Sequence, residues 1–190
     1  MGGKKVIGVL ALQGAFAEHE AALRRCGAQT IRIRKREDLE AVDGLIIPGG
    51  ESTAIGRLLA AYGLAESIVE RSRAGMPVFG TCAGMIVMAK EISDSDHYTL
   101  GLMNISVRRN AFGRQIDSFE ADLDVKVLPQ PVRGIFIRAP YIDRVWGESE
   151  VLSVFDGKVV MAREKNLLTC SFHPELTSDL SIHKYFLGMV

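Results

Sequence analysis

Cys82 lies within Gly80-Thr81-Cys82-Ala83-Gly84, at the end of a short apolar run that begins at Pro77. A thiol flanked by small residues, where a strand stops and turns straight into a helix, is the pattern of a nucleophile elbow. Glycine neighbours let the backbone turn sharply and leave room for a substrate carbonyl. The N-terminal end of a helix also favours thiolate over thiol. A second group stands far along the chain, in His173-Pro174-Glu175. Proline disfavours helix for the residue before it, so His173 is expected in extended chain, where residues two apart share a side. Glu175 can then reach the imidazole, fix its tautomer and stabilise the imidazolium, the role of the third group in a triad.

A third stretch, Pro48-Gly49-Gly50-Glu51-Ser52, follows another apolar run. Two adjacent glycines leave backbone N–H groups unshielded, so the N–H of Gly50 and that of Ala83 are candidate halves of an oxyanion hole. The peptide between Gly49 and Gly50 can also turn over at little steric cost, which makes it a candidate switch. Taken singly, each stretch has an ordinary structural explanation as a buried thiol, a capped chain end or a glycine turn. Taken together they carry more weight. All three close apolar runs that read as strands, and ligands of open parallel sheets gather at the carboxyl ends of strands.

The elements needed to bring those ends together are legible in the first half. Lys5 to Leu12, Thr30 to Ile33, Gly44 to Ile47 and the run before Cys82 are apolar enough for strands buried in a parallel sheet. Between them, Phe16 to Cys26, the helix carrying Ile55, Leu58 and Leu59, and Leu64 to Ala74 have helical spacing. Leu39 and Val42 anchor a short helical turn, and Ser52 or Thr53 can cap the helix that follows. The helix after Cys82 continues through Met85, Ile86, Met88 and Ala89. Beyond the polar loop Ser93 to His97 come alternating runs at Ile105–Arg108, Ser118–Leu123, Val132–Ile137 and Val151–Phe155. Asp156-Gly157 joins the last of these to Val159–Arg163 as a hairpin. Leu167 to Phe172 is a final strand and Ile182 to Met189 a closing helix. The expected fold is α/β, with a mostly parallel sheet and an antiparallel extension in the second half.

With 190 residues, no internal repeat and no linker, residues 1–190 read as one domain. Lysine plus arginine equals aspartate plus glutamate, 23 each, so net charge favours neither nucleic acid nor an acidic partner. Three cysteines without a secretory pattern point to free thiols in a reducing compartment. No apolar stretch approaches the ~20 residues that span a bilayer. A cytoplasmic protein without membrane contact is expected. The cysteines and histidines show no close metal-ligand spacing, so neither a metal nor another cofactor is expected.

Gly80-Thr81-Cys82-Ala83-Gly84, Phe172-His173-Pro174-Glu175 and Pro48-Gly49-Gly50-Glu51-Ser52 resemble the signature stretches of class I (triad) glutamine amidotransferases. Leu12-Gln13-Gly14 with Glu18-His19, Arg109 to Gln115, Ser118-Phe119-Glu120, Phe136 to Pro140 and Glu175-Leu176-Thr177 narrow the resemblance. They are similar to the glutaminase subunits of pyridoxal 5′-phosphate synthase, and the likeness covers essentially the whole chain. It implies a flavodoxin-like three-layer fold and hydrolysis of L-glutamine to glutamate and ammonia. It also implies a (β/α)8-barrel synthase partner, in a hetero-oligomer, that receives the ammonia internally. Carried over by motif, Cys82 is the nucleophile, His173 the general base and acid, and Glu175 its orienter. The glutamine site then includes Gly49, Gly50, Glu51, Arg109, Ile137 and Arg138, with arginine suited to the substrate α-carboxylate. The chain departs from the broader pattern at Met85-Ile86, where other amidotransferases carry Met-Gln.

Two other readings share these features: a glutaminase subunit for a different ammonia-using synthase, and an elbow-cysteine hydrolase or chaperone of the same fold. The His-Pro-Glu and Gly-Gly-Glu-Ser stretches argue against the latter. Cys26 and Cys170 are expected in the core, and His97 and His183 in solvent. His19 has no evident chemical partner in the sequence and is expected to be structural or interfacial.

Overall fold

The computed structural model describes residues 4–109 and 118–190. Five strands and four helices make up its first half. These are β1 (Val6–Leu10), α1 (Phe16–Arg25), β2 (Gln29–Ile33), β3 (Gly44–Ile47), α2 (Ser52–Ala61), α3 (Leu64–Arg73), β4 (Val78–Thr81), the short α4 (Ala83–Met88) and β5 (Ala89–Ile92). A 3₁₀ turn over Arg36–Ala41 precedes β3. The second half supplies β6 (Met103–Arg108), β7 (Ser118–Leu123), β8 (Val132–Ile137), β9 (Tyr141–Val145), β10 (Glu150–Phe155), β11 (Lys158–Glu164), β12 (Leu167–Cys170) and α5 (Ser181–Met189).

The main sheet runs in the order β2-β1-β3-β4-β12-β11-β9-β6-β5, with β10 also paired to β11. From β2 to β12 every pairing is parallel, and from β12 through β6 it is antiparallel. Two strands were not anticipated. The run after Cys82 leaves the helix at Ala89, which is extended (ψ 149°), and β5 joins β6 instead. β9 follows Pro140, and Asp143 and Arg144 interrupt its apolar alternation.

Period-two alternation divides the core. Leu45 and Ile47 of β3 and Val78 of β4 face one cluster, under α2, α3 and α4. Ile46 and Phe79 face the other, which packs Leu23, Phe172, Ile182 and Phe186. The hairpin of β7 and β8 covers this second side through Leu123, Val132 and Phe136. Sheet and flanking layers together make the flavodoxin-like three-layer arrangement. Among the described residues, no helix is long and apolar enough to cross a membrane.

Candidate active site

β4 and β12 lie side by side in parallel, with Cys170 opposite Thr81, and the Cys82 N–H donates to the Cys170 carbonyl at 2.8 Å. Cys82 and His173 therefore leave the same sheet edge from adjacent strands. The elbow itself is strained: Cys82 has φ 50° and ψ −106°, a region that residues with a Cβ seldom occupy. What holds it is close packing of α4. A Cβ on Gly84 would stand 2.0 Å from the Ile47 carbonyl oxygen, so only glycine lets the helix sit this close to β3.

His173, Glu175 and Cys82 are each about 7% exposed. The His173 Nδ1–H donates to Glu175 Oε1 at 2.7 Å, and the His173 backbone N–H donates to the Ile135 carbonyl at 2.8 Å. Burial alone would lower the imidazole pKa, but hydrogen bonds with Cys82 and Glu175 and their charges raise it to about 10. Glu175 is likewise pushed up by burial, yet His19 and His173 together hold it below the usual carboxylate range. The result is a sulfur nucleophile beside an imidazole that holds a proton, backed by an ionised carboxylate. That set can attack a carbonyl and return a proton to a leaving amine.

Around them lies a cleft of about 470 Å³ lined by Gly49, Gly50, Glu51, Cys82, Ala83, Arg109, Ile137, Arg138 and His173. All the residues named from the sequence for this site thus line one cleft, except Glu175, which stands behind His173. The Gly49 carbonyl accepts from the Ala15 N–H at 3.1 Å, and a trans peptide sets the Gly50 N–H on the opposite side. Gly49 also has no room for a side chain, since a Cβ there would lie 2.5 Å from His173 Cε1. Arg109 donates to His97 Nδ1 at 2.7 Å and stands 3.6 Å from Asp94. Arg138 adopts φ 42°, and the Cys82 thiol faces the Ile137 carbonyl at 4.0 Å. Ile86 lines the cleft between these groups, so the position of the departure from Met-Gln is an apolar patch of its wall.

Several expectations need correction. The cap of α2 is Glu51, not Ser52 or Thr53: its carboxylate accepts the Thr53 and Ala54 N–H groups at 2.9 and 2.7 Å. Burial would raise the Glu51 pKa, but those bonds hold it below the usual range. His183 is fully buried rather than solvated, and His19 has partners in His183, Thr81 and Glu175. Cys26 caps the end of α1 and is half-buried, whereas Cys170 is in the core. His97 is exposed but bonded to Arg109 and Thr53. Of the Arg109 to Gln115 motif, Asn110 to Gln115 lie outside the described residues. Gln13 was missed as a site residue although its motif was visible; its Oε1 accepts the Glu51 N–H at 2.8 Å.

Residues 9–190 match the model of the SNO glutamine amidotransferase family. The chain belongs to the SNO glutamine amidotransferase family. This amidotransferase is 58% identical over 182 residues to pyridoxal 5′-phosphate synthase subunit PdxT of Pelotomaculum thermopropionicum, covering 95% of the chain and 93% of that protein. It is 57% identical over 185 residues to the PdxT subunit of Carboxydothermus hydrogenoformans, covering 97% of each. A crystal structure of a glutamine amidotransferase superposes with a TM-score of 0.93 at 47% identity, over 96% of the chain and 97% of that structure.

The buried histidines give this amidotransferase a pH signature. Burial, helped by His19, depresses His183 to about 3, against the weaker opposing pull of Glu175. The unfolded chain then takes up a proton below ~6.5 that the folded chain refuses. Stability conferred by neutral His183 is present above that pH and lost as pH falls toward about 3. The slope approaches ~1.4 kcal/mol per pH unit for one proton. His173 acts oppositely, with stability present below ~6.5 and lost as pH rises through its folded value of about 10. Urea titrations at several pH values should therefore show greatest stability near pH 6.5 and a shallower acid limb in His183→Leu. Identical acid limbs would contradict this account.

Proposed function

We propose that the chain is the glutaminase subunit of a pyridoxal 5′-phosphate synthase, acting as one domain over residues 1–190. The supporting observation is the Cys82 elbow beside His173, with Glu175 2.7 Å behind the imidazole. In this reading the Cys82 sulfur attacks the side-chain amide carbon of glutamine. The Gly50 and Ala83 N–H groups hold the oxyanion, and His173 protonates the departing ammonia. Water, deprotonated by His173, then releases glutamate from the γ-glutamyl thioester. Glu175 keeps the imidazole in the productive tautomer throughout. Gly49, Gly50, Glu51, Arg109, Ile137 and Arg138 hold the substrate, a guanidinium taking its α-carboxylate.

Ammonia passes to a (β/α)8-barrel synthase subunit within a cytoplasmic hetero-oligomer. Leu176 and Ile137, both exposed, stand at the cleft where such a partner would collect it. The Gly49 carbonyl, held by Ala15, lies in the loop through which docking would set the oxyanion hole. A glutamine-analogue electrophile should label Cys82 alone of the three cysteines. Glutamine hydrolysis should rise when the purified synthase is added to saturation. Labelling at Cys26 or Cys170 with Cys82 unmodified would defeat the assignment, and equal rates with and without synthase would defeat the control by docking.

A further inference from the structure

Behind Glu175, on the side away from the cleft, α1 and α5 bring together two histidines that the chemistry above does not use. His19 and His183 are both fully buried. Glu175 Oε1 is occupied by His173, but Oε2 has no hydrogen-bond partner of normal geometry among the described residues. Its neighbour is His19 Nε2, at 3.4 Å. The same Nε2 stands 3.1 Å from Thr81 Oγ1, and His19 Nδ1 stands 3.0 Å from His183 Nε2. Thr81 is the residue before the nucleophile. The two histidines thus continue the line Cys82, His173, Glu175 into the core.

The contacts assign the protons. Burial holds His19 below its ordinary pKa against the pull of Glu175, so it carries one ring proton at neutral pH. Were that proton on Nδ1, a bare Nε2 lone pair would face the carboxylate, and His183 would carry its own proton on Nδ1, which has no partner. With the proton on Nε2, an N–H faces the carboxylate instead, and His183 Nε2–H donates to His19 Nδ1. The second arrangement leaves only a bare nitrogen unpaired in the core. Which ring nitrogen is protonated follows from the bond the other one makes. The remaining groups around His19 are Phe79, whose ring lies edge-on at 6.4 Å, His173, whose charge opposes a second proton, and Glu18, whose charge weakly favours one.

We propose that His19, kept in its Nε2–H tautomer by His183, is a positioning residue for Glu175. Its single proton, shared between Thr81 Oγ1 and Glu175 Oε2, fixes the carboxylate against His173 and keeps it ionised. The role rests on the reading of Glu175 as the orienter of a glutaminase base. It explains why an otherwise unpaired carboxylate oxygen is tolerated in the core, where an unsatisfied charge is expensive.

The test compares wild type, His19→Leu and His19→Gln, each with saturating synthase and glutamine as substrate. Leucine removes the donor, whereas the glutamine amide nitrogen can reach the place of Nε2. His19→Leu should lower kcat roughly 10–100-fold, as when a partner that orients a reactive group is lost, with KM little changed. The acid limb of its kcat/KM profile should move to higher pH, because Glu175 then takes a proton more readily. His19→Gln should restore most of both. An unmoved acid limb, or a loss that glutamine does not rescue, would overturn the proposal. A second measurement needs no variant: ¹⁵N-histidine spectra of the wild-type chain should show His19 protonated on Nε2, and protonation on Nδ1 would overturn the proposal. Failure of the glutaminase reading looks different, since the wild-type complex would itself leave glutamine intact.

Discussion

Cys82→Ala is expected to abolish glutamine hydrolysis, by on the order of 10⁶-fold, the cost of removing the nucleophile from a triad that acts as a unit. Glutamine binding should survive, because the glycine loop, Arg109 and Arg138, the groups proposed to hold the substrate, are untouched. Cys82→Gly should be equally inactive but more stable than Cys82→Ala. Alanine keeps a Cβ at φ 50°, a strain of about 1–3 kcal/mol, which glycine releases against roughly 0.5–1 kcal/mol of lost chain entropy. Thermal midpoints of the two variants isolate the backbone term, since both lack sulfur. A glycine variant no more stable than the alanine one would mean that the elbow is unstrained. Such strain is retained because it aims the side chain into the cleft.

The second large effect belongs to Gly84→Ala. Its Cβ would stand 2.0 Å from the Ile47 oxygen and 2.9 Å from the Ile47 carbonyl carbon, both backbone atoms of a buried strand. Neither can give way as a side-chain tip can. α4 must therefore lift from β3, and Cys82 at its first turn moves off His173. Overpacking of this kind costs about 1–3 kcal/mol and occasionally more. Urea denaturation should show that loss, and glutaminase activity should fall far more steeply than stability. A variant with unchanged stability and rate would show that the contact is slack.

The parallel half of the fold and the three strand-end stretches were legible because their signals are local. A buried parallel strand is an apolar run, and Gly-x-Cys-x-Gly or His-Pro-Glu carries its geometry within three to five residues. The two strands whose local pattern gives no strand signal, β5 and β9, were not legible. Ala89 continues a helical pattern, yet Ala89 to Ile92 is extended because β6 pairs with it. His183 reads as a polar residue on a terminal helix, and nothing nearby in sequence announces that His19 will meet it. Glu51 displaced Ser52 and Thr53 as the cap because a longer carboxylate one residue earlier reaches two N–H groups at once. In each case the deciding partner is remote or competes through reach, and residue type alone does not encode it.

The position of β12 has a consequence for how the protein is born. Among the described strands of the sheet it is made last, yet it sits between β4 and β11 in the interior. Until it emerges, β4 offers an open parallel edge, and the thiol at its tip has neither base nor carboxylate. Non-local parallel pairing of this kind is slow and leaves apolar strands open to other chains while it waits. If Cys82, His173 and Glu175 act as proposed, the nascent polypeptide is chemically mute and spills no ammonia before its sheet is closed. A chain cut short before Leu167 would leave a cysteine without an enzyme around it.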